Sequence, residues 1–143
     1  MLRHSSFAAA AVLACAPVAA AGGGPVNLVA TPAVKSALRA AFLKAHPTLA
    51  PSRLRGPIKG ETYYGRYGDA EYALAVFSVP LTGTTDQPEL FRRPAGARWR
   101  DLGDTGGEVC PSWVPVPLLR LWRFVKSSYS VVDGKRVYCY APP

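Results

Sequence analysis

Residues 61–78 constrain the fold more than any other stretch of the chain. Aromatic and β-branched side chains crowd there, interrupted only by Gly68-Asp69, a dipeptide suited to a two-residue hairpin turn. Closing the turn at that point pairs Tyr67 with Ala70, and the register of both strands follows. Tyr63 then lies opposite Leu74, Gly65 opposite Tyr72, and Arg66 opposite Glu71 as a cross-strand ion pair. Alternation sends Tyr63, Tyr67, Tyr72, Leu74 and Val76 to one face, and Thr62, Tyr64, Arg66, Glu71, Ala73, Ala75 and Phe77 to the other. The first set reads as the core face. The second is then an open aromatic-and-alanine surface, on which Tyr64, Arg66 and Phe77 are the candidate binding residues.

The flanking segments supply the remaining elements. Thr31-Pro32 offers a capping hydroxyl and a first-turn proline, Val34, Ala37, Leu38, Ala41, Phe42 and Ala45 recur at helical spacing, and Pro47 ends the helix at His46. Residues 48–57 read as a loop, as do 81–88. A second hairpin is expected from residues 89–93 and 98–102 around Pro94-Ala95-Gly96-Ala97, placing Arg92 opposite Trp99 in a cation–π contact; residues 101–107 read as a turn. Leu118, Leu121, Trp122 and Val125 share a helical face within residues 118–127, with Arg120, Arg123 and Lys126 on another. Asp133-Gly134 joins a last strand pair, residues 129–132 and 135–140. Together these predict an α+β fold, in which the N-terminal helix and the C-terminal helical segment pack on one face of an antiparallel sheet of about four strands.

Residues 1–21 have the pattern of an export signal: Arg3 and His4 at the start, an apolar run from Phe7, and small residues at Ala19-Ala20-Ala21. Residues 22–30, opening on Gly22-Gly23-Gly24-Pro25, read as a flexible leader, and residues 31–143 as a single exported domain. Two versions of the signal are open. Cleavage after Ala21 discards Cys15 and releases a secreted protein. Use of Val12-Leu13-Ala14-Cys15 as a lipobox makes Cys15 the lipid-bearing first residue at the cell surface; bulky Leu13 and the short apolar run before Cys15 weigh against it. Either version leaves Cys110 and Cys139, which an oxidising compartment joins. No apolar run after the signal is long enough to span a bilayer.

The formal net charge is +8; once Arg3 leaves with the signal, 16 basic residues face 9 acidic ones. Such a surface attracts anionic lipid, wall polymer or an acidic protein. Nucleic acid is not expected as a partner, because the basic residues are scattered and no recognition motif is present.

Three runs carry a resemblance: Tyr72-Ala73-Leu74-Ala75-Val76-Phe77-Ser78, Thr85-Asp86-Gln87-Pro88-Glu89-Leu90-Phe91-Arg92-Arg93, and Trp99-Arg100-Asp101-Leu102-Gly103-Asp104-Thr105-Gly106-Gly107. They are similar to stretches of small exported proteins of high-GC Gram-positive bacteria, a source that the richness in Ala, Arg, Gly and Pro suits. The resemblance implies an exported single domain and brings no assigned activity or active-site residues.

Catalytic chemistry finds little purchase. A serine or cysteine nucleophile needs a base, and the exported part has one histidine, His46, which reads as a helix-end residue interacting with the terminal carbonyls. One histidine and two bridged cysteines cannot supply the nitrogen and sulfur ligands of a zinc site. Asp101, Asp104 and Glu108 gather in a glycine-bearing turn, but their spacing departs from an EF-hand loop. The expected function is therefore a non-catalytic binding module, inhibitor-like or envelope-associated, with an unidentified protein or envelope component as partner and no cofactor or metal. The alternatives are a small extracellular hydrolase using Asp101, Asp104 and Glu108 as acid/base carboxylates, and a lipoprotein with a structural role at the surface.

Overall fold

The structure, a computed structural model, describes residues 23–79 and 87–143. The expected signal with Cys15, and most of the loop expected at 81–88, lie outside the described residues. Gly68 takes a φ of 62°, open to glycine at no steric cost, and turns β2 (Thr62–Tyr67) into β3 (Ala70–Ala75). The register is the expected one throughout, with Tyr67 on Ala70, Arg66 on Glu71, Gly65 on Tyr72 and Tyr63 on Leu74.

Two further strands extend this hairpin on one side, β4 (Glu89–Pro94) and β5 (Arg100–Asp104). On the other side lies β1 (Val26–Asn27), which comes from the stretch read as a leader. Val26 pairs with Arg66, Asn27 with Gly65, and the Leu28 N–H donates to the Tyr64 carbonyl at 2.9 Å. The sheet thus has five antiparallel strands in the order β1-β2-β3-β4-β5, one more than expected. Arg92 stands opposite Arg100, not Trp99, so the expected cation–π contact is replaced by two others. Arg93 lies over the Trp99 ring at 5.0 Å and Arg92 over Tyr72 at 5.7 Å. The expected Arg66–Glu71 ion pair gives way similarly: Glu71 faces Arg93 on β4 as well, and binds that guanidinium at 2.6 Å.

Helix α1 (Pro32–Ala45) begins at Thr31, whose side chain accepts from the Val34 N–H, and ends at His46, as the sequence predicts. Helix α2 (Val116–Leu121) is much shorter than the expected 118–127. Arg123 adopts a φ of 64°, the Arg123 N–H donates to the Arg120 carbonyl, and the Phe124 N–H donates to that of Leu119. This left-handed helix stop, usually built on glycine, here carries an arginine and releases the chain into a strand. Among the described residues that strand, β6 (Val125–Val132), pairs only with β7 (Lys135–Ala141), through the Asp133-Gly134 turn, where both residues have positive φ.

The helices occupy opposite faces of the sheet, which corrects the expectation that both lie on one. Leu38, Ala41 and Phe42 of α1 pack with Tyr64, Ala73, Ala75, Phe77 and Phe91. Leu118, Leu119 and Trp122 pack with Ala70, Tyr72, Leu74 and Leu90 on the other side, joined by Val109, Val114, Phe124 and Tyr140. Gly65 lets α2 approach closely: a Cβ there would stand 2.7 Å from Leu118 and from the Val26 carbonyl. Each helix thus seals one layer of side chains against the sheet.

Candidate functional site

Of the three residues expected on an open binding face, two are core residues. Tyr64 is buried and Phe77 has no exposed surface, because α1 covers the face they occupy; Arg66 alone is exposed. The Tyr64 hydroxyl donates to Glu71 Oε2 at 2.7 Å, the same oxygen that takes the Nε and Nη2 groups of Arg93. Burial, followed by the hydrogen bond to Glu71 and its charge, pushes the Tyr64 phenol up to about 12 from its ordinary 10.0. A raised folded-state pKa means that Tyr64 contributes its full stability below pH 10 and loses it as pH climbs toward 12. Ultraviolet titration should show one phenol ionising late, absent in Tyr64→Phe, and the variant should lose less stability across that window.

The carboxylates of the 101–108 turn go to different partners. Asp104 Oδ1 accepts the Gly106 N–H at 2.6 Å, closing its own turn, and Glu108 Oε2 accepts the Ser128 hydroxyl on β6. Asp101 points inward, with its side chain 1% exposed, its Oδ1 held by the Gly103 N–H at 2.8 Å and its Oδ2 3.8 Å from His46 Nε2. Beside it lies Glu89, only 2% exposed. One ligand atom each from His46, Glu89 and Asp101 falls within 4.8 Å of the others. Among the described residues, neither Glu89 Oε2 nor Asp101 Oδ2 has a hydrogen-bond partner. Burial first, then the charges of Asp101 and Asp104, raises the Glu89 carboxyl to about 7; burial also raises Asp101, against the opposing pull of the Gly103 N–H and His46.

Three separate elements assemble this cluster. His46 caps α1 and packs against Phe42 in a tilted arrangement, with ring centroids 4.2 Å apart. Glu89 opens β4, and Asp101 sits on β5 across the register shift that follows Leu90. Sequence reasoning found Asp101 and treated His46 only as a cap, and it passed over Glu89. The available signal was alternation: Glu89 and Phe91 share a side of β4, so the carboxylate stands in a core row.

The second region that sequence reasoning passed over is the β6–β7 arm. All eight residues of β6 are exposed, among them Val125 at 55%, Tyr129 at 52%, Val131 at 64% and Val132 at 52%. Its rings are braced by cations: Lys126 lies 4.3 Å over Tyr138, Arg136 4.9 Å over Tyr129, and the two rings sit 5.8 Å apart. The arm is rooted toward its base, where Tyr138 packs against the second core and Ser128 reaches Glu108. Val109 and Tyr140 exchange backbone hydrogen bonds of 2.7 and 2.9 Å, and the expected Cys110–Cys139 disulfide forms beside them.

No helix among the described residues is long and apolar enough to cross a membrane. Compared with protein-family models, curated proteins and solved structures, the chain finds no match in any of the three.

Proposed function

We propose that this is an exported, non-catalytic interaction module that grips an acidic, extended polypeptide segment with its β6–β7 arm. The exposure of every β6 residue carries this reading. A two-stranded ribbon is marginal in water by itself, and Val125, Tyr129, Val131 and Val132 contribute to neither core, so their burial is left for a partner to provide. Lys126, Lys135 and Arg136 against Asp133 set the sign of that partner. Braced aromatic and arginine side chains suit an interface centre, since little rotamer freedom remains to be lost on binding. The outer backbone edges of the ribbon suit strand addition, a need that a purely anionic polymer does not share. Export is supported by the pattern of residues 1–21 and by the disulfide.

Photo-crosslinking from position 131 during incubation with the producing culture tests the reading, followed by affinity measurement against the captured polypeptide. Tyr129→Ala should weaken binding by about 2 kcal/mol with an almost unchanged melting temperature, since the ring is half exposed and belongs to neither core. Binding that is unaffected by Tyr129→Ala and governed by salt alone would point to a polyanion and overturn the strand-addition reading.

A further inference from the structure

We propose that His46, Glu89 and Asp101 form a binding site for a divalent first-row transition-metal ion, zinc foremost. One donor atom from each already lies within 4.8 Å of the others, and in a tetrahedral site neighbouring donors stand roughly 3.3 Å apart, so closure takes about 1.5 Å at most. The His46 side chain has room to adjust, being 45% exposed at a helix end, whereas that of Asp101 is 1% exposed. Two nearly inaccessible carboxylates stand side by side, each with an oxygen that no hydrogen bond from the described residues reaches. A cation between them answers both oxygens at once, which no residue of the cluster can do alone.

The donor set selects the ion class. Calcium asks for six to eight oxygens, and magnesium for a near-octahedral oxygen shell; one imidazole with two carboxylates fits neither and suits zinc, with one position left to solvent. Outer contacts orient the donors. The Gly103 N–H fixes the other oxygen of Asp101, and Phe42 supports the imidazole ring. The bound ion joins the end of α1 to the starts of β4 and β5, and it draws on none of the arm residues.

The test uses the chelator-treated, disulfide-intact protein without a histidine tag, titrated separately with zinc, manganese, calcium and magnesium chlorides by calorimetry and thermal melting. The expected result is one zinc ion per chain, a melting temperature that climbs with zinc concentration, and weaker or no response to calcium and magnesium. His46→Ala, at a half-exposed helix end, should weaken zinc binding at least tenfold, its metal-free melting temperature being measured alongside, and Glu89→Gln should do the same at nearly constant volume. Should Glu89→Gln not fold, cobalt substitution gives a second readout: a visible absorption band present in the parent and lost in His46→Ala. Absence of zinc binding, equal binding by His46→Ala, or a preference for calcium would each overturn the assignment.

Discussion

Phe77→Ala is expected to cost about 3–5 kcal/mol of folding stability, a large part of the roughly 5–15 kcal/mol that holds an ordinary domain together. Phe77 has no exposed surface, stacks on Phe42 at 4.7 Å and meets Phe91 edge-on at 6.0 Å. Removing the ring opens a cavity between α1 and the sheet that rigid neighbours cannot fill. Urea unfolding should show a lower midpoint with an unchanged slope. Arg66→Ala is the matched control, because its side chain is exposed and Glu71 pairs with Arg93; its cost should stay under about 1 kcal/mol. Similar losses for the two variants would mean that α1 does not cover this face.

Breaking the Cys110–Cys139 bridge, by reduction or by the double change to serine, is expected to cost about 3–4 kcal/mol. The bond spans 29 residues, and on the chain-entropy account a loop of that size restores this much freedom to the unfolded chain. The loss has a local component as well. Cys139 lies beside Tyr140, whose backbone bonds to Val109 help attach the arm to the domain, together with the Ser128–Glu108 hydrogen bond and the packing of Tyr138 on the second core. Reduction should therefore lower the unfolding midpoint and weaken partner binding together. Coincident unfolding curves for oxidised and reduced protein would remove the bridge from any account of stability.

What could be read from the sequence divides along physical lines. Both two-residue turns were legible, because Gly68-Asp69 and Asp133-Gly134 admit backbone angles that most pairs resist, and a two-residue turn sets its own register. Helix α1 was legible through Thr31 at one end and Pro47 beyond the other. Which face of the first hairpin is buried was not. Ala70, Tyr72, Ala73, Leu74 and Ala75 are all buried, so β3 is a central strand covered on both sides, and alternation there carries no inside or outside. The true mark of two-sided burial was β3's nearly continuous apolar run. The extent of α2 escaped for another reason: Leu118, Leu121, Trp122 and Val125 keep helical spacing past the point where Arg123 turns left-handed. Of the ligand cluster, Asp101 stood out as a turn carboxylate, but its companions come from two other elements that only the folded chain brings near.

The rooting of the arm has a consequence for how chains of this design can diverge. Beyond Tyr138, which packs against the second core, and the Ser128–Glu108 hydrogen bond, the ribbon toward the Asp133-Gly134 tip is held among the described residues by its own strand pairing. Insertions there face a parity rule and little else. One extra residue pair inverts which side chains look outward beyond it, whereas two pairs preserve both surfaces and move the tip outward by about 7 Å. The reach of the arm is thus adjustable in even steps while both helix-covered layers stay untouched, so lineages could retune what they grasp without renegotiating how they fold.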